Sequence, residues 1–363
     1  MEKRGGREMK RVLALLMIGS LTVDASESFS HKDWQVVCDN THTCRMAGYT
    51  EYTLDNRYLP LSMLFVRKAG AQSQIDGYIQ IAESGEESDL QSLKNRSLKM
   101  SVDQQSYLID ISKKLPQAQI DILINALSRG KQIGFVFGDT YRWDFSQQGS
   151  FACMLRMDDY QKRIGTVGAV YKKGEQDEGS VLLPEPKPVI HAPRVSPDSK
   201  AGRTPPEVAY SEKERKLLQY LLGKYYAEDG EQGECWMSRE EAKETLKVYR
   251  LTDQVAVASQ ECWRAAYNYA DAFWLINAKP PFEPRMITQA SGLFIAEDGT
   301  LRLSTAYKGR GVGDCWNRDE WVWNGKDFVD ALYTTTGLCR GFAGGAWDLP
   351  TLVTEVKVED ASR

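Results

Sequence analysis

The chain has 363 residues, of which 46 are Lys or Arg and 50 are Asp or Glu, giving a formal net charge of −4. Its hydrophobic content of 42% is ordinary for a globular protein, and its length is sufficient for two domains. The slightly acidic balance argues against a nucleic-acid partner, which would require a basic face. The chain has three histidines, few for an enzyme, so the composition favours a protein without catalytic residues, metal ligands or cofactors.

The first 25 residues have the features of an export signal. A basic segment over 3–11 precedes an apolar run over 12–23. Val23 and Ala25 stand where a signal peptidase recognises small residues. The run is too short to span a bilayer, which takes about 20 apolar residues, and a retained, uncleaved anchor is the alternative. We expect a periplasmic or secreted protein with no transmembrane segment in the mature chain.

Seven cysteines in an exported chain indicate disulfide bonds. Proximity along the chain favours the pairs Cys38–Cys44, Cys235–Cys262 and Cys315–Cys339. The first of these pairs encloses a turn-like sequence between two strand-like runs. Cys153 is left over, and we expect it to be buried and inert rather than a reactive thiol.

A Pro-rich stretch over 175–210 divides the chain. Seven of the 13 prolines lie in it, which predicts a semi-rigid extended linker without sheet or helix. It separates a β-rich domain over 26–174 from a Trp-rich domain over 211–358. The predicted fold class is α+β, mostly antiparallel β, with two disulfide-stapled β-rich domains and a few short helices.

Strand-like runs dominate the first block, 26–174. Pro116 and Gly130 are the expected ends of one helix, whose apolar residues recur on one face, and a second helix is expected over about 149–161. The predicted strands are 34–38, 44–49, 61–67, 78–82, 98–102, 107–111, 133–137, 142–145 and 166–171.

The second block, 211–358, begins with two helices, each signalled by a capping box, at 211–214 and 238–241. Predicted strands follow at 247–251, 255–259 and 272–277. The Asx-Gly pairs Asp298-Gly299 and Asn324-Gly325 predict two hairpins. A two-residue turn at Asn324-Gly325 would place Trp321 opposite Phe328 as a cross-strand aromatic pair.

Three stretches carry a resemblance to a known family: 29–49 with its Cys-Asp-Asn-Thr-x-Thr-Cys-Arg run, 158–166, and 313–347. Together they resemble a family of secreted proteobacterial proteins known as a domain of unknown function. The first block is also similar to the invasion-associated locus B family, in its Trp-x-Val-x-Cys opening and its order of helix, strand and Phe145. Met46 and Trp316 depart from the expected pattern. The resemblance implies export and a disulfide framework, and supplies no catalytic residue.

Cys38, His42 and Cys44 are the one group of metal-ligand residue types that lie close together in the sequence. A disulfide with a solvated turn histidine is the favoured interpretation, because a tetrahedral zinc site needs a fourth ligand and thiolates prefer reducing compartments. We expect His31 to be solvent-exposed, and His191 lies in the predicted linker. The common hydrolase, metalloprotease and nucleotide-binding motifs are absent from the sequence.

Seven of the nine tryptophans lie in the second block. An exposed strip that binds an envelope protein or a glycan is one hypothesis, with Trp321 and Trp323 on one strand face; the strip comprises Trp316, Trp321, Trp323, Tyr307 and Arg310. The favoured alternative is that these rings fill the core of the domain. Two functions stay open: a non-catalytic binding protein of the cell envelope, or an exported hydrolase whose carboxylates come from distant residues.

Overall fold

The computed structural model describes residues 27–51, 59–82, 98–138, 141–195, 201–226 and 234–359. In these ranges antiparallel strands predominate and helices are few and short, as the sequence predicts. No helix among them has the length and apolar composition needed to cross a membrane. The predicted export signal over 1–25 lies outside the described residues.

The first block opens with a five-stranded antiparallel sheet whose strands neighbour one another in chain order. The strands are β1 (Glu27–His31), β2 (Trp34–Cys38), β3 (Cys44–Tyr49), β4 (Leu61–Arg67) and β5 (Ile75–Ile81). Every residue of β2 is buried, because both faces of the sheet are covered. One face packs on the core of the first block, and the other packs on residues of the second block.

A four-stranded sheet and two helices complete this core. Helix α1 follows Pro116 and ends before Gly130, whose φ of 65° suits the helix end, as predicted. The elements are β6 (Leu98–Val102), β7 (Gln105–Ile109), α1 (Gln117–Ser128), β8 (Ile133–Phe137), β9 (Tyr141–Asp144) and α2 (Ser150–Tyr160).

The predicted strand over 166–171 is wrong, because the chain forms an irregular loop over 161–182. The Asp158 carboxylate accepts the backbone N–H groups of Val170 at 2.8 Å and Tyr171 at 2.9 Å. A buried side chain thus satisfies donors that a neighbouring strand would otherwise use.

The second block begins with α3 (Glu212–Leu222) and α4 (Arg239–Lys243), and both predicted capping boxes are formed. Two antiparallel sheets of four and five strands follow, and the hairpin at Asp298-Gly299 joins two strands of the second sheet. The first sheet contains β11 (Lys247–Arg250), β12 (Val255–Arg264), β13 (Tyr269–Asn277) and β14 (Arg285–Ala290). The second contains β15 (Gly292–Ile295), β16 (Leu301–Lys308), β17 (Trp316–Trp323), β18 (Phe328–Thr335) and β19 (Leu349–Val353).

The two sheets of the second block share an apolar core. Val257 and Phe273 of the first sheet belong to one buried cluster with Leu303 and Trp323 of the second. The opposite face of the first sheet packs against α3 and α4. The first sheet is therefore covered on both faces, by the second sheet on one side and by the two helices on the other.

The three predicted cysteine pairs are all bonded: Cys38–Cys44, Cys235–Cys262 and Cys315–Cys339. Cys153 is free and buried, as expected. Burial raises the pKa of its thiol to about 12, so the thiolate that would make it reactive is scarce at neutral pH.

Part of the predicted linker is a strand, so the prediction that this stretch forms no sheet is wrong for residues 189–193. Strand β10 (Val189–Pro193) pairs in parallel with β20 (Glu355–Glu359) near the C-terminus. Pro193 is tolerated because it stands at the end of the strand, where its missing N–H breaks no central ladder. The division into two domains joined by a linker stays a prediction.

The register predicted for the hairpin at Asn324-Gly325 is also wrong. Trp323, rather than Trp321, belongs to the aromatic pair with Phe328. The Asn324 side chain accepts the backbone N–H of Asp327 at 2.8 Å, and the Asn324 N–H donates to the Asp327 carbonyl at 3.0 Å. These local bonds enlarge the turn beyond two residues and shift the pairing.

Candidate ligand-binding surface

The structure separates the predicted tryptophan strip into core and surface. Trp323 is 4% exposed and packs on Phe328 with ring centroids 5.4 Å apart, inside the core between the two sheets. Trp321 is half-buried at the margin of that core, with its ring 6.1 Å from Tyr333. Core packing therefore accounts for Trp323 and for part of Trp321.

Trp316 and Arg310 stabilise the turn between β16 and β17 through side-chain hydrogen bonds. The Trp316 indole donates to the Gly313 carbonyl at 2.8 Å, and the Lys308 ammonium lies 5.3 Å from its ring centroid. The Arg310 guanidinium donates two hydrogen bonds to the Asp314 carboxylate, at 2.7 and 2.5 Å. A bidentate pair of this kind fixes the turn.

Tyr307 belongs to a different group of rings, which we call the aromatic row: Trp236, Trp263 and Tyr307. The ring centroids of Trp236 and Trp263 are 5.8 Å apart, and those of Trp263 and Tyr307 are 5.5 Å apart. Trp236 is 78% exposed, whereas the other two rings are half-buried. The row therefore runs from the β16 end of the second sheet out to the solvent.

A disulfide brings the row together. Trp236 and Trp263 each follow one cysteine of the buried Cys235–Cys262 pair, so the bond sets the two indoles side by side. Sequence reasoning missed both residues, although the predicted cysteine pair already implied that the residues following them are neighbours. Tyr307 is distant in sequence, and its place beside Trp263 depends on how the two sheets pack.

Hydrogen bonds restrain the middle ring of the row. The Trp263 indole donates to the Gln289 side-chain oxygen at 2.8 Å, and the Gln289 amide donates to the Glu234 carbonyl at 2.9 Å. A register shift in β12 between Glu261 and Trp263 marks a bulge, which re-aims the side chain that follows it. The ring is thus held in place before any ligand arrives.

Further exposed apolar side chains lie at the two hairpin tips beside the row. Tyr267 is 47% exposed, Tyr269 is 44% exposed and Val312 is 75% exposed. The Asn268 side chain joins the tips, because it donates to the Lys308 carbonyl at 3.0 Å and accepts the Lys308 N–H at 2.9 Å. The row and the tips form one extended, partly apolar surface.

A pair of carboxylates lies next to the row. Glu261 of β12 is opposite Asp271 of β13. Burial, and then the Glu261 carboxylate, raise the pKa of Asp271 to about 6. Arg264 donates a 2.6 Å hydrogen bond to the Glu261 carboxylate. The pair thus places a carboxyl with a raised pKa opposite a second carboxyl that is held by an arginine.

The structure corrects the interpretation of His42 as a solvated histidine. The side chain is buried, at 7% exposure, and its Nδ1 lies 2.9 Å from the Leu183 carbonyl. The neighbouring Cys38 and Cys44 are bonded to each other, so neither offers a thiolate to a metal. His31 is exposed, and the exposed His191 lies 2.8 Å from Glu359.

Among the described residues, one group brings together three side chains of metal-ligand type, and these are Asp314, Cys315 and Cys339. The two sulfurs are joined in a disulfide, and Asp314 is paired with Arg310. The group is therefore satisfied by protein partners and is not suited to hold a cation.

Comparison with known proteins defines the family. An uncharacterized protein of Escherichia coli strain K12, YpfG, is 26% identical over 360 residues, which cover 93% of this chain and 95% of the relative. No solved structure is significantly similar to the chain. The similarity of the first block to the invasion-associated locus B family stays a prediction. The family described as "Protein of unknown function (DUF1176)" matches residues 28–354, and the protein belongs to this family.

Proposed function

We propose that the protein is an exported, non-catalytic binding protein of the cell envelope, and that the aromatic row is the face on which it binds a glycan. The observation that carries the proposal is the exposure of Trp236, 78%, at the end of a restrained row of rings. Three disulfides fit an oxidising compartment outside the cytoplasm, and we place the protein in the periplasm.

The exposure of Trp236 has an energetic consequence. An aromatic side chain of this kind can bury about 150–250 Å², which corresponds to about 4–6 kcal/mol of favourable transfer from water. Most of that free energy is unused while the ring faces solvent, and a ligand that covers one face of the ring recovers part of it. Because the disulfide and the Gln289 bond already restrain the row, little conformational entropy is lost on binding.

The chemistry of the surface favours a sugar chain over a flat apolar partner. A pyranose presents an apolar C–H face and a polar rim, and the row offers rings for the face. Polar groups for the rim lie beside the rings, namely Gln289, Glu261 and Arg264. Burial, and to a smaller extent the negative charge of Asp319, raise the pKa of Tyr307 to about 12. The Tyr307 hydroxyl therefore stays protonated and can donate a hydrogen bond to a sugar oxygen.

The test is a titration of the full-length protein with N-acetylglucosamine oligosaccharides and soluble peptidoglycan fragments, followed by tryptophan fluorescence and calorimetry. We expect Trp236→Ala to weaken binding about tenfold or more, equivalent to about 1.4 kcal/mol, with an unchanged melting temperature. Tyr220→Ala is the matched control, because Tyr220 is equally exposed on α3. Equal affinity of Trp236→Ala and wild type, or no binding of any of these glycans, would refute the proposal.

The exported hydrolase is the second candidate function, and Asp271 is the observation in its favour. Asp271 and Glu261 are opposite each other on neighbouring strands, and glycoside hydrolases also use a pair of carboxyl groups. A pKa of about 6 suits a carboxyl that donates a proton near neutral pH. Incubation of the wild type and Asp271→Asn with the bound glycan decides between the two functions. Cleavage of the glycan by the wild type but not by Asp271→Asn would show that the protein is a hydrolase rather than a non-catalytic binding protein.

A further inference from the structure

A second surface, in the first block, is unrelated to the aromatic row. A cleft of about 770 Å³ lies between α1 and residues 164–173 of the irregular loop. Three cations line it, Arg129, Lys172 and Lys173, against one carboxylate, Asp121. Among the described residues none of these cations has a carboxylate partner. The cleft is thus locally basic in a chain whose net charge is −4.

The margin of this basic cleft is apolar. Ile164, 40% exposed, and Tyr171, 36% exposed, line the cleft, and Val167, 59% exposed, belongs to the same loop. Phe151 of α2, 39% exposed, stacks on Tyr171 with ring centroids 5.3 Å apart. Single exposed apolar residues need no explanation, but several on one short loop beside a cleft indicate an interaction site.

A buried ionic cluster holds this loop in shape. Arg163 is fully buried and donates to Glu178 at 2.5 Å and to the Gly70 carbonyl at 2.7 Å. Asp158, also fully buried, holds the backbone of Val170 and Tyr171. Desolvating such charges opposes folding unless every group is paired. The cluster therefore fixes an irregular loop that presents Ile164, Tyr171, Lys172 and Lys173 to the cleft, which is the preorganisation that a binding surface requires.

We propose that the basic cleft docks an acidic segment of a partner protein that also carries apolar side chains. Carboxylates of that segment would meet Arg129, Lys172 and Lys173, which steers association and sets its specificity. Its apolar side chains would cover Ile164 and the Tyr171–Phe151 stack. A concave cleft admits side chains, whereas a membrane surface is broad and flat, and lysines beside apolar side chains suit an acidic polypeptide that carries apolar residues.

The test uses fluorescein-labelled peptides and fluorescence anisotropy with the full-length protein. One peptide alternates Glu with Leu and Phe, a second has Lys in place of Glu, and a third has Ser in place of Leu and Phe. We expect the first alone to bind, more weakly at high salt. Lys172→Glu with Lys173→Glu should weaken it about tenfold or more. Lys213→Glu with Lys216→Glu, two exposed lysines of α3, should not.

A second variant tests the apolar margin. Ile164→Asp changes an exposed side chain that lines the cleft, so we expect the melting temperature to be kept and binding of the first peptide to be lost. Equal binding of the first and second peptides, or equal affinity of the cleft variants and wild type, overturns the proposal. Phosphatidylglycerol vesicles are the remaining probe. Vesicle binding that depends on Lys172 and Lys173, without peptide binding, overturns it in favour of a membrane surface.

Discussion

The Trp347 indole donates a 2.8 Å hydrogen bond to the Ser62 hydroxyl, which joins the end of the second block to the first sheet. The Phe342 ring meets Tyr49 edge-on with centroids 6.3 Å apart, and Arg340 pairs with Asp33 at 2.7 Å. Phe342 and Arg340 thus bring 313–347, one of the three stretches that carry the family resemblance, against another of them, 29–49. Two of the three stretches therefore form a contact between the two blocks.

This contact changes what proteolysis of the predicted linker should produce. We expect the first cuts within 175–210, because most of the described residues there are exposed. The two fragments should then stay together on gel filtration, since they share the buried cluster around Tyr49, Phe342 and Leu349. Each of the three disulfides lies within a single fragment, so no disulfide joins the two fragments. Urea without a reducing agent should therefore separate the fragments. A first cut inside either block, or fragments that separate in buffer, would contradict this expectation.

Trp323 and Trp321 should respond differently to truncation. We expect Trp323→Ala to lower the free energy of unfolding by about 3–5 kcal/mol, because it removes a buried ring that packs on Phe328. Trp321→Ala should cost about 1–2 kcal/mol, because the ring is half-buried. Urea unfolding measures both values. The same loss from the two variants would show that the hairpin register is not the one described.

Asp271 should make stability depend on pH. Its folded pKa of about 6 lies above the value of an unfolded aspartate, so the folded state binds more protons between about pH 4 and 6 and loses stability as the pH rises through that window. Asp271→Asn removes this loss, and relative to wild type it should gain up to about 3 kcal/mol from pH 4 to pH 7. Urea unfolding at several pH values measures the gain. The exposed Asp253→Asn is the control, and a pH-independent difference for Asp271→Asn would count against the assignment.

Arg163 should be essential to the irregular loop. Arg163→Met leaves Glu178 buried without its closest cation, and we expect a loss of about 3–5 kcal/mol in the free energy of unfolding. Hydrogen exchange over 161–182 should rise at the same time. Arg156→Met removes a 47%-exposed arginine of α2 and should cost at most about 1 kcal/mol. Unchanged exchange in the loop of Arg163→Met would refute the role given to the cluster.

Local features of this protein were predictable from its sequence. The capping boxes of α3 and α4 and the ends of α1 depend on residues within a few positions of one another. The strands β2, β3, β4, β6 and β8 have the predicted bounds. Proximity along the chain also selected the three disulfides, because short loops are the easiest to close.

Features that depend on partners distant in sequence were missed. Strand β10 exists because residues 355–359 lie beside it, and the loop at 166–171 exists because Asp158 takes its backbone donors. The strand register beyond Asn324 is set by the Asn324 side chain, which accepts the Asp327 backbone N–H in place of a partner on the opposite strand. The turn preference of the Asn-Gly pair does not by itself predict this hydrogen bond.

The candidate sites divide in the same way. The sequence by itself determined the disulfide-stabilised, β-rich character of the chain, because alternation and cysteine spacing are local properties. Only the tertiary structure decided that Trp323 is core, that Trp236 is exposed beside Trp263 and Tyr307, and that three cations share one cleft. Burial and proximity across sheets are set by packing of the whole chain, and no single segment encodes them.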